Sequence, residues 1–140
     1  MTTLATALTK LHQRGMALIV EKEGRTLFES SASGLRAWVA CIAECGDELR
    51  GATAIDKIVG IAAAKLCLVA GIVEVLAETA SEPALTLLRE KGVPAQARHI
   101  VPHILNRSGT DVCPMEKLSA SIAEPQAFYV AVREQFTNNV

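Results

Sequence analysis

Cys113 stands directly before Pro114, and Glu116 follows three residues later, so a thiol and a carboxylate share one short segment. Proline suits the first position of a helix, which makes Cys113 the predicted cap of a helix opening at Pro114. Helix N-termini favour thiolate over thiol. The arrangement suits a nucleophile, with Glu116 as acid/base partner. The bland alternative is an inert buried thiol, because free cysteine is among the most buried residue types. Glu116 is then the capping carboxylate of its own helix. Asp56 and Lys57 form a second pair. In Thr53-Ala54-Ile55-Asp56, the aspartate closes a loose capping box. Lys57 would then oppose the helix dipole, so it either points into water or binds an anion or carbonyl at a pocket mouth.

The remaining candidates are simpler. Ser81 reads first as a helix cap and second as a pocket residue. Asn106-Arg107-Ser108-Gly109 is a turn, in which Arg107 either holds a carboxylate or phosphate or pairs with Asp111. His99 and His103 flank the end of a strand, a common place for ligands in open sheets. Pro102 interrupts that strand, which weakens the case for them. Cys41 and Cys45 lie four apart on one helical face, but nothing nearby completes a metal site. Core packing explains them and Cys67 better. The list is therefore Cys113, Glu116, Asp56 and Lys57 for chemistry, and Ser81, Asn106 and Arg107 for binding. No metal or cofactor is assigned.

The elements that position these residues follow from periodicity. Thr2 to His12 is an amphipathic helix, with Leu4, Leu8 and Leu11 at helical spacing. Ala17 to Glu21 and Arg25 to Ser30 form a hairpin around Lys22-Glu23-Gly24. Ser31 to Gly34 is a loop, and Leu35 to Cys45 is a helix ended by Gly46. Thr53 caps the next helix, which runs through Ile61, Ala64 and Leu68 to Gly71. Ile72 to Leu76 is a strand, Pro83 to Lys91 a helix and Gln96 to Val101 a fourth strand beside Ile72 to Leu76. Helices at Cys113–Glu116 and Pro125–Gln135 complete the chain. Strands that alternate with helices require a mostly parallel sheet with right-handed crossovers. The expectation is one α/β domain over residues 1–140, a three-layer α/β/α sandwich with a mixed sheet of about four strands.

Composition narrows the functions. The 140 residues are 50% apolar, and the formal net charge is -1. Neither a broad basic surface nor an aromatic platform is available for nucleic acid. Ile58 to Val73 is apolar but too short and alanine-rich to span a membrane. Met1 to Thr9 lacks the pattern of a secretory signal. The four cysteines are then expected as free thiols in a cytoplasmic protein.

The order of elements resembles the cytidine-deaminase-like fold. Ile55-Asp56-Lys57-Ile58-Val59-Gly60-Ile61-Ala62-Ala63-Ala64 and Cys113-Pro114-Met115-Glu116, with Asn106-Arg107 ahead of the second, resemble the signatures of a small uncharacterised bacterial family within that fold. Active members of the wider fold hold zinc between two helix starts, one with His-Ala-Glu or Cys-Ala-Glu and one with Pro-Cys-x-x-Cys. Set against that pattern, the start at Asp56-Lys57-Ile58 offers neither His nor Cys, and that at Pro83-Ala84-Leu85-Thr86-Leu87 has Ala84 and Leu87 where the cysteines should stand. The resemblance therefore implies a deaminase scaffold without its metal, and it also points to a homo-oligomer such as a dimer. Three readings follow. The first is a domain that binds a small molecule. The second is a metal-independent enzyme with Cys113 as thiolate nucleophile. The third is a scaffold or oligomerisation module without a ligand.

Overall fold

The computed structural model describes residues 3–32 and 34–138. Thr2 in the predicted first helix and Ser33 in the predicted loop lie outside the described residues. The chain runs α1 (Leu4–Gln13), β1 (Leu18–Lys22), β2 (Arg25–Ser30), α2 (Leu35–Cys45), a 3-10 turn (Gly46–Leu49), β3 (Thr53–Val59) and α3 (Ile61–Ala70). It continues through β4 (Glu74–Ser81), α4 (Glu82–Glu90), β5 (Ala95–Val101), α5 (Pro114–Ser121) and α6 (Pro125–Asn138).

Five strands form one mixed sheet in the order β2-β1-β3-β4-β5. β1 is antiparallel to both β2 and β3, whereas β3, β4 and β5 run parallel. Alternation along the strands sends side chains to two faces. Ile19, Ile55 and Leu76 meet Ala7, Leu8 and Leu11 of α1 on one face. Leu18, Val20, Ala54, Val75 and Ala77 point the other way, into the larger core built with α2, α3, α4 and α6. Helices therefore cover both faces of the sheet.

α3 is the central helix of that larger core. Ala62, Ala63, Ala64, Leu66, Cys67 and Ala70 are all buried, so it is apolar around most of its circumference. Its small side chains allow close packing on the sheet and on α2, α4 and α6. The helix stops at Gly71, which takes the left-handed conformation (φ 77°) that side chains resist.

Two sequence expectations need correction here. Thr53 to Val59 is a strand, not the start of a helix, so the sheet has five strands rather than four. Asp56 and Lys57 therefore lie on β3 and cap nothing. Thr53, Ile55, Ile58 and Val59 are β-branched, and this preference outweighs the resemblance to a capping box. The strand expected at Ile72–Leu76 lies further on, at Glu74–Ser81. Its parallel pairing with β5 is as expected.

Candidate functional site

At the carboxyl end of β3 the fold leaves a cavity of about 240 Å³. β3 contributes Asp56, Lys57 and Ile58. The starts of α2 and α3 contribute Leu35, Ala37 and Trp38, and Gly60, Ala62 and Ala63. The C-terminal segment closes it with Ile104, Leu105, Arg107, Cys113, Met115 and Glu116. Two helix starts thus meet at the cavity, but they are those at Gly34–Leu35 and Gly60–Ile61. The starts expected from the sequence, at Asp56 and Pro83, are not the ones that do so. Pro83 lines a separate shallow concavity with Glu82, Glu90 and His103.

Asp56 lines the cavity and is only 8% exposed. Trp38 Nε1 donates to its Oδ2 at 2.9 Å, and the Ile58 backbone N–H donates to its Oδ1 at 3.4 Å. Burial pushes the carboxyl up to about 7, against the lowering effect of the Trp38 and backbone hydrogen bonds. An acid with that midpoint can exchange a proton near neutral pH. Lys57 and Arg107 are exposed at the margin of the cavity. Among the described residues neither side chain has a hydrogen-bonding or ionic partner. Asp111, the partner considered for Arg107, pairs instead with Lys117.

Glu116 is buried and reaches across to α3. Its Oε1 accepts from the Ile61 backbone N–H at 2.8 Å, and its Oε2 accepts from that of Ala62 at 2.7 Å. These are otherwise free donors at a helix N-terminus, where a negative charge is favoured. Gly60 permits the approach, since a Cβ there would lie 2.1 Å from Oε1. Glu116 thus caps α3 and not its own helix, as the bland reading had it. In return, Lys65 of α3 donates to the carbonyls of Ser119 and Ile122 at the end of α5. Its ammonium sits 5.6 Å from the centroid of the Phe128 ring. Burial lowers the Lys65 pKa, while the Glu116 charge opposes that shift.

Cys113 is the N-cap of α5, half-buried, with no side-chain cap hydrogen bond. It shares the cavity with Asp56, Lys57, Arg107 and Glu116. Ser81 and Asn106 do not line it. Ser81 caps α4, accepting from the Ala84 backbone N–H at 3.3 Å. Asn106 organises its turn, with Oδ1 accepting from the Thr110 backbone N–H at 3.0 Å. Cys41 and Cys67 are core residues, and burial raises both thiols. Cys45 donates to the Leu27 carbonyl at 3.6 Å. All four cysteines are free.

Sequence reasoning missed Trp38, Gly60 and Lys65. Trp38 carried the most usable signal, because a buried indole needs an acceptor for its N–H. Among the described residues, no group of three or more His, Cys, Asp or Glu side chains is arranged to hold a metal ion. No described helix is long and apolar enough to cross a membrane.

Comparison with known proteins adds a family but no activity. No curated protein matches the chain. A crystal structure of a DUF1893 family protein (TM1506) from Thermotoga maritima is similar, with a TM-score of 0.84 and 32% identity. The match covers 94% of this chain and 88% of that one. Residues 6–136 match the family model for TM1506, a domain of unknown function (DUF1893). The chain belongs to this DUF1893 family.

Proposed function

We propose that the protein binds a small organic molecule in the cavity around Asp56, on a three-layer scaffold of the cytidine-deaminase type. The observation that carries this reading is a buried, cavity-lining carboxyl inside an otherwise largely apolar chamber. Concave, mainly apolar sites with a few directed polar groups are the usual form of a ligand pocket. The strand order, the antiparallel β1 and two helix starts meeting at the end of β3 support the scaffold assignment. Lys57 and Arg107 stand where a ligand's outer anionic group would lie. Zinc-dependent deamination does not fit. Gly34-Leu35-Arg36-Ala37 and Gly60-Ile61-Ala62-Ala63 offer no thiolate or imidazole, and Glu116 is engaged by α3. The occupant is a small molecule rather than a nucleic acid or a membrane, in a cytoplasmic chain. A homo-oligomer belongs to the proposal by resemblance.

The test is a screen of small aromatic fragments followed on the indole N–H resonance of Trp38, the single tryptophan. Fragments should shift that resonance in the native chain and fail to do so in Ala63→Leu, which fills the chamber from α3. Met115→Phe fills it from α5 and guards against misfolding of the first variant. Equal shifts in filled and native chains would refute the reading.

Cys113 on the same wall supports a second reading, in which it is a nucleophile and Asp56 a proton carrier. Alkylation of Cys113, assigned by mass spectrometry across a pH series, separates the two. Fast labelling below neutral pH favours the enzyme. Labelling at the rate of an ordinary thiol leaves the binding domain.

A further inference from the structure

The chemistry of Asp56 narrows what the chamber holds. An ionised carboxylate has two acceptor positions on each oxygen. The protein fills one on each, through Trp38 Nε1 at Oδ2 and the Ile58 N–H at Oδ1. The Lys57 backbone N–H also bears on the carboxylate but donates to the Ala17 carbonyl at 2.9 Å, so both oxygens keep acceptor capacity for a ligand. Among the described residues no ion pair reaches Asp56. A buried carboxylate without a counter-charge is costly, and here the cost shows as a midpoint raised to about 7. A ligand with two parallel N–H groups and a positive charge satisfies both oxygens at once, in the geometry that makes bidentate pairs strong.

We infer that the occupant's inner end is an amidine or cyclic amidine edge, whose two N–H groups fork onto the Asp56 carboxylate. The inference rests on the cavity being a ligand site. Leu18, Leu35, Ala62, Ala63 and Ile104 give that edge an apolar surround. At about 240 Å³ the chamber is smaller than drug-sized pockets of roughly 300–1,000 Å³, so the body is one ring or a small fused pair. An anionic inner end would face Asp56 with no cation beside it. A single ammonium lacks the planar fork that reaches both oxygens at once.

Binding requires the ionised form, so affinity follows the charge on Asp56. The titratable and charged groups around it are few. They are Cys67 from α3, Lys57 on its own strand, and Cys113, Glu116 and Arg107 from the C-terminal segment. Glu116 is held by the α3 backbone, Cys67 is buried, and Lys57 and Arg107 are exposed. Asp56 is the group that meets the ligand's cation, and a pH series on Asp56→Asn separates its part in the pH response from that of Cys113. Affinity for a permanently cationic amidine should fall about tenfold per pH unit below the Asp56 midpoint and level off above it.

The experiment titrates the full chain with benzamidine, benzylamine, benzamide and benzoate, followed by calorimetry and by the Trp38 resonance. Benzamidine should bind at least about tenfold more tightly than the other three, a difference of about 1.4 kcal/mol. Asp56→Asn should lose that advantage while keeping a native circular dichroism spectrum. The pH dependence in the native chain is an independent check should the variant misfold. Comparable binding of benzamide or benzoate, abolished in Ala63→Leu, would overturn the amidine assignment and leave the cavity reading intact. No response to any of the four would overturn both.

Discussion

Asp56 holds its proton to a pH at which an exposed aspartate would have lost it. Desolvation is the largest cause, and the Trp38 N–H works against it. The raised value has a consequence for stability. Between the ordinary carboxylate value of 3.8 and about 7, the folded chain binds a proton that the unfolded chain has released. Stability must fall as pH rises through that window, by up to about tenfold in the folding equilibrium per unit, and the full penalty persists above it. Asp56→Asn has no such proton to lose. Urea unfolding should therefore show the variant gaining on the native chain as pH rises from about 4 to about 7. A difference independent of pH would mean that Asp56 titrates normally. The sequence singled out Asp56 for a wrong local reason, as part of a capping box. Its role depends on Trp38, eighteen residues away, and on a strand that ends beneath a cavity.

At the scale of elements, α3 and α5 cap each other. Glu116 satisfies the start of α3, and Lys65 satisfies the end of α5. The carboxylate accepts at both oxygens, whereas glutamine brings an NH₂ to one of the two donors. Glu116→Gln should thus cost about 1–3 kcal/mol in denaturant unfolding. Gly60→Ala should cost a similar amount, because its Cβ would displace the carboxylate. The two sites share one mechanism, so Gly60→Ala should cost far less in a Glu116→Ala background. Additive losses in this cycle would argue against reciprocal capping. Helix α5 was legible because proline marks its first turn, and α4 because Ser81 and Pro83 mark its start. β3 was not, since an alanine-rich helix follows at once and drew the helix start forward. The partnership of Glu116 with Ile61 spans 55 positions, and no local pattern encodes it.

For the whole molecule, alternation and loop signals were enough to give a mixed α/β chain with an antiparallel hairpin at its start. They also gave the parallel pairing of β4 with β5. The missing strand hid which helix starts face the cavity, and so moved the expected site elements by one helix. The return of the C-terminal segment over α3 is a product of packing. Phe128, Tyr129 and Val132 of α6 join the larger core, and Met115 and Leu118 of α5 pack against it. That return brings Arg107, Cys113 and Glu116 to the end of β3. This assembly encloses a proton-carrying carboxyl in a largely apolar chamber beside the single indole of the sequence. The most direct test is a pH titration of the Trp38 indole N–H resonance in the native chain and in Asp56→Asn. A single inflection near a midpoint of about 7, absent from the variant, is the expected result. A midpoint near 3.8, or a response unchanged in the variant, would mean that Asp56 is not a buried proton carrier beside Trp38.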